Sequence, residues 1–122
     1  MTRAFLVLGA LSGCVAVALG AFAAHGLRER VPADMLAVFE TGARYQMYHA
    51  LALIAVAWVA TRGGGTMIVA AGWLFVAGTL LFSGSLYLLV LTGQRWLGAI
   101  TPLGGVAFLL GWLALAVAGW RD

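Results

Sequence analysis

Charge is what this sequence has least of. Only 9% of its 122 residues are Asp, Glu, Lys or Arg, against roughly a quarter in an average soluble domain. Lysine is absent, so the net charge of +3 rests on seven arginines set singly between apolar runs. With no basic cluster, that excess reads as membrane-flanking charge and not as a nucleic-acid surface. The one cysteine, Cys14, excludes an internal disulfide and gives no zinc spacing. Two histidines, His25 and His49, with no second carboxylate or thiol beside them, are too few for a convincing haem or metal site. No Ser-His-Asp or paired-carboxylate arrangement points to hydrolysis. A non-enzymatic protein without cofactor or metal is therefore expected.

What is present is apolar. Hydrophobic residues make up 64% of the chain and the mean hydropathy is +1.04. A chain this poor in polar side chains cannot cover itself for water, so its solvent is lipid. The length allows a single domain. Leu11-Ser12-Gly13-Cys14 matches a bacterial lipoprotein cleavage box. Against that, 15–24 continues apolar where a lipoprotein would carry a polar tether.

The apolar runs and their breakers give four helices, at about 4–25, 32–61, 66–92 and 102–120. Each is long enough to cross a hydrocarbon core of about 30 Å at about 1.5 Å per residue. The expected fold is all-α, an integral-membrane four-helix transmembrane bundle. Gly26 suits a C-cap for the first helix, and Pro32 a first helical position for the second. The second helix is expected to be one long, bent rod, with a break at Thr41-Gly42 as the alternative. Arg62-Gly63-Gly64-Gly65 is a tight hairpin. Thr101-Pro102 reads as N-cap and N1 of the fourth helix, after a non-helical or kinked lead-in from Leu97. Small residues recur four apart at Ser12, Ala16, Gly20 and Ala24, and Gly78 and Ser85 form a second such face. Both read as close packing within the bundle. Trp58, Trp96 and Trp120 fit an aromatic belt, while Trp73 and Trp112 read as packing or lipid-facing bulk. Arginines fall almost equally on the two sides, so the positive-inside rule assigns no orientation.

The second helix begins with the chain's most polar stretch, Phe39 to His49. Glu40 and Arg44 are i,i+4 with the acid first, the favourable order. Gln46 and His49 lie roughly opposite, with Tyr45 near them. Counting back about 20 residues from Ala60 lands on Thr41, so Arg44, Gln46 and His49 fall inside the apolar slab and Glu40 at its edge. Ionisable groups there are a functional-site hypothesis by default; the bland reading is a satisfied knot that fixes helix register. Thr79, Ser83 and Tyr87 are four apart on the third helix. Connectivity brings His25, the start of the second helix, the Ser83–Tyr87 end of the third and Thr101 to one membrane face. The candidate polar cluster is therefore His25, Glu40, Arg44, Tyr45, Gln46, His49, Ser83, Tyr87 and Thr101.

Several blocks carry a resemblance. Gly20-Ala21-Phe22-Ala23-Ala24-His25-Gly26-Leu27, Phe39 through Leu53, Leu81-Phe82-Ser83-Gly84-Ser85-Leu86-Tyr87, and Ile100 through Gly105 with Gly111-Trp112 resemble the YgdD/YwdK family of small uncharacterised bacterial inner-membrane proteins. Ala23 stands where the family pattern has Gly. The resemblance covers nearly the whole chain. It implies a multi-pass protein of the bacterial inner membrane and carries over no reaction or catalytic residue. The expected role is a non-enzymatic accessory or a bundle that interacts with lipid or a partner. Its partners would be membrane lipids, another membrane protein or a second copy, and no nucleic acid. Binding or transport of a small molecule, quinone, ion or proton through the cluster is the alternative.

Overall fold

The computed structural model describes residues 2–121, and helices account for nearly all of them. α1 runs Thr2–Ala24 and α2 Ala33–Ala60. α3, Gly65–Gly78, continues through a π-helical turn at Thr79–Ser83 into α4, Gly84–Thr92, making one rod. α5 is Thr101–Arg121, and single 3₁₀ turns at Leu27–Glu29 and Arg95–Ala99 precede α2 and α5. No strand occurs among the described residues.

α2 is central: α1 packs along it on one side and the α3–α4 rod on the other, with α5 laid against α3. Three stretches, Thr2–Glu29, Gly65–Thr92 and Arg95–Arg121, are long and apolar enough to cross a membrane. α2 has the length, 28 residues, but Arg44, Gln46 and His49 dilute its apolar character. Large apolar side chains cover the outside, among them Leu11, Val17, Leu80, Leu103, Leu109 and Leu113, each at least 60% exposed. So broad an apolar surface is out of place in water and natural in lipid.

Two apolar clusters fill the interior. The larger holds Phe5, Leu53, Val56, Ile68, Phe75 and Phe108. The smaller, toward the opposite end, holds Ala23, Leu27, Phe39 and Val90. Along α2, Gly42, Gln46 and His49 fall between Phe39 and Leu53, so a polar layer separates the two.

Local chemistry explains most element ends, and some fall differently from expectation. Gly63, Gly64 and Gly65 all take positive φ, which lets the chain reverse between α2 and α3 in so few residues. Gly93, also left-handed, closes α4 with its N–H donating to the Leu89 carbonyl. Gly26 is no left-handed cap: its φ is −72° and the chain passes directly into a 3₁₀ turn. Pro32 caps α2 from outside it, with extended backbone. The lead-in to α5 is itself a 3₁₀ turn, and Thr101, not Pro102, opens the helix.

α2 does not break at Gly42. The residue has a packing role instead, since a Cβ there would lie 2.9 Å from Cε1 of Tyr87. Its bare surface lets the Tyr87 ring lie against the helix. The π turn was not foreseen. Hydroxyls brace it on either side: Thr79 donates to the Phe75 carbonyl at 2.9 Å, and Ser85 to that of Phe82 at 2.9 Å.

Candidate functional site

The helical period of α2 sorts the polar residues onto two faces. Gln46 and His49 turn inward, 6% and 4% exposed, while Glu40 and Arg44 stand on the outer surface and Tyr45, partly exposed, stacks beside His49 at the edge of the inward face. His25, at the end of α1, is exposed. The structure thus brings together Gln46, Tyr87 and Ser83, pairs Thr101 with Ser85, and leaves His25, Glu40 and Arg44 outside the buried layer.

Gln46 is the hub. Its Nε2 donates to the Ser12 carbonyl at 3.1 Å and reaches Ser12 Oγ at 3.2 Å. Its Oε1 accepts from the Tyr87 hydroxyl at 2.6 Å. One amide therefore ties α1, α2 and α4. Beside it, the fully buried Ser83 donates to the Gly42 carbonyl at 2.7 Å. Ser85 and Thr101 hydroxyls meet at 2.6 Å and join α4 to α5.

His49 has both ring nitrogens engaged. Nε2 accepts from the Trp112 indole N–H at 3.0 Å. An acceptor at Nε2 puts the ring proton on Nδ1, which donates to the Tyr45 carbonyl at 2.7 Å. The ring is thus the neutral Nδ1–H tautomer, stacked on Phe108 with centroids 3.5 Å apart and planes 6° apart. Among the described residues, every fully buried side-chain nitrogen and oxygen has a hydrogen-bond partner, and no group of three or more His, Cys, Asp or Glu could hold a metal ion.

Thr101 and Tyr87 lie toward the helix ends that connectivity brings together, while the contacts of Gln46 with Ser12 and of His49 with Trp112 lie farther along the helices. Ser12 is the eleventh of 23 residues in α1, Gln46 the fourteenth of 28 in α2, and Trp112 the twelfth of 21 in α5. These bonds therefore join the helices near their midpoints. Sequence reasoning missed Ser12, Ser85 and Trp112 as partners, reading the serines as small packing residues and the tryptophan as bulk. The available signal was that Ser12 is the lone hydroxyl in the run 4–24, and such a hydroxyl in an apolar helix seeks a partner.

Next to the layer, a cleft of about 800 Å³ opens between α2 and α5. Tyr45, Tyr48, Phe82, Phe108 and Trp112 line it, with His49 in its wall and Gly105 on the α5 side. The rings are in mutual contact: Tyr45 lies 4.9 Å from Phe82, and Phe82 5.5 Å from Phe108. The π turn places Phe82 here. Its backbone rests on Gly104, where a Cβ would come 2.3 Å from the Phe82 nitrogen.

The family model described as "Protein of unknown function (DUF423)" matches residues 19–105, which include the whole polar stretch of α2 and the π turn. The chain belongs to this family. It is 51% identical to the UPF0382 membrane protein YwdK of Bacillus subtilis, over 95% of each chain. It is 47% identical to a UPF0382 membrane protein of Staphylococcus aureus, over 98% of this chain and 97% of the relative. A third such protein, from Staphylococcus saprophyticus, is 46% identical over 98% of both. These relatives agree with the family that the sequence blocks resemble. No solved structure matches the chain. With relatives named as membrane proteins over its full length and an apolar outer surface, this DUF423 chain is a helical membrane protein.

Proposed function

We propose that the chain is a non-enzymatic protein of the bacterial inner membrane that crosses the bilayer four times and holds a lipid chain in the α2–α5 cleft. The cleft itself carries this reading. It is of ligand size, walled by aromatic rings, and the buried polar side chains beside it are already hydrogen-bonded. A proton or ion path needs polar groups free to exchange partners. Gln46, Ser83 and His49 spend theirs on fixed bonds between and within helices. A quinone ring needs a polar partner for its carbonyls, and both nitrogens of His49, the buried polar side chain in the wall, are occupied. An apolar chain needs neither.

α2 is the fourth crossing in this reading. Its buried polar side chains do not forbid it, because Gln46 and His49 are satisfied inside the bundle. Topology reporters fused after Arg30 and after Gly64, which flank α2, should report opposite sides of the membrane. The same side for both would remove α2 as a crossing.

The cleft is tested by filling it. A Cβ at Gly105 meets nothing within 4 Å, so Gly105→Leu projects into open space. The full chain, purified from native membranes in mild detergent, should retain a stoichiometric lipid detectable by mass spectrometry of the extract. Gly105→Leu should lose most of it with an unchanged melting temperature. Equal retention by the two proteins would sink the reading.

A further inference from the structure

Glu40 and Arg44 stand on the outer surface of α2, one turn apart, and border a shallow recess floored by Ala16, Gly20 and Ala43. Helix register sets their depth. Arg44 is the twelfth of 28 residues in α2, and Gln46, two residues further on, bonds Ser12 near the middle of α1. Given the four-crossing reading of "Proposed function", on which this inference rests, Arg44 lies close to mid-bilayer and Glu40 about 6 Å nearer the face. Ionisable groups at such depth face a protein interior or pair with one another, because hydrocarbon solvates neither sign. On a single chain these two face outward.

We propose that this strip is the interface between two copies of the chain in the membrane. Copies inserted in the same orientation are related by a two-fold axis along the membrane normal, which sets each strip against itself. Glu40 of one copy then meets Arg44 of the other, twice over. The two-fold axis keeps each residue at its own depth, so these pairs run diagonally across an offset of about 6 Å that the longer Arg44 side chain spans. Side chains on a helix lean toward its N-terminus, so Arg44 leans toward the level of Glu40. Complementarity selects the occupant. The strip carries one charge of each sign, and a second copy satisfies all four charges at once. A partner with charge of a single sign leaves one unmatched, and a lipid headgroup does not reach this depth. The recess permits close approach, since a Cβ at Gly20 would meet nothing within 4 Å.

Cross-linking in native membranes tests this. Ala37 is exposed on the same strip, one turn before Glu40. Cys14 is also exposed, so the background is Cys14→Ser. Ala37→Cys in the full chain should give a covalent dimer with a short bis-maleimide reagent. Leu113→Cys, exposed on α5, should give none. Glu40→Arg and Arg44→Glu should each lose the dimer when expressed alone. Co-expressed with different tags, the all-basic and all-acidic chains should cross-link to each other. The neutral pair Glu40→Gln with Arg44→Gln, which places no like charges together, should cross-link less than the parent at equal membrane level. The inference is overturned if Ala37→Cys gives no dimer, if Leu113→Cys dimerises as well, or if the reversed or neutral chains cross-link as the parent does. Failure of the four-crossing reading would show separately, as the topology reporters flanking α2 on the same side.

Discussion

Gly104→Ala should lower the melting temperature in detergent on the order of 10 °C, corresponding to about 3 kcal/mol for a chain of this size. The added Cβ would lie 2.3 Å from the Phe82 nitrogen and 2.8 Å from its Cα. These are backbone atoms inside a helical rod, so no rotamer change relieves them. α5 must withdraw from the π turn, and the Ser85–Thr101 contact beside it must stretch. Gly72 and Gly78 are tight as well, but their neighbours are the rings of Phe5 and Phe108, which can tilt. Two controls isolate the cause. Gly105→Ala, one residue along with an open Cβ site, should leave the melting temperature unchanged. Phe82→Ala should not rescue Gly104→Ala, because the obstructing nitrogen and Cα remain. A full rescue would mean that the ring, and not the backbone, sets the approach of the helices.

Gln46→Leu should cost about 2–4 kcal/mol of stability. The substitution keeps roughly the same bulk and removes the bonds to Ser12 and Tyr87. Hydrogen bonds between helices in a membrane average about 0.6 kcal/mol and reach about 1.7, so the lost bonds alone give a moderate effect. The larger part is the Tyr87 hydroxyl, left without its acceptor, at about 1–3 kcal/mol. Adding Tyr87→Phe removes that stranded group. The double variant should therefore be more stable than Gln46→Leu alone, although each single change destabilises. Thermal unfolding of the four proteins in one detergent gives the coupling energy directly. Purely additive losses would show that the Gln46–Tyr87 bond contributes nothing, and would remove the amide from the centre of the polar layer.

The two substitutions probe what holds this chain together. Within lipid, apolar burial does not distinguish one helix face from another, because the surrounding chains are as apolar as leucine. Close packing and hydrogen bonds between helices take its place. Gly104 marks a point of closest packing, and Gln46 is the residue through which three helices are bonded.

Much of this was legible from the order of residues. Apolar runs of spanning length, broken by Gly63-Gly64-Gly65 and by the polar stretches at 25–32 and 92–96, determined the helices and the lipid solvent. The 3.6-residue period determined that Gln46 and His49 share a face opposite Glu40 and Arg44. Both are local properties: a run, a breaker or a period is complete within one helix. Only the tertiary structure decided that Gln46 meets Ser12, that His49 meets Trp112, that Gly42 is a seat for Tyr87 rather than a break, and that these two contacts fall near the midpoints of their helices. The physical reason is the axial register between helices. It is set by where backbones can approach, as at Gly104 and the π turn at Thr79–Ser83, and the period of a single helix carries no record of its neighbour.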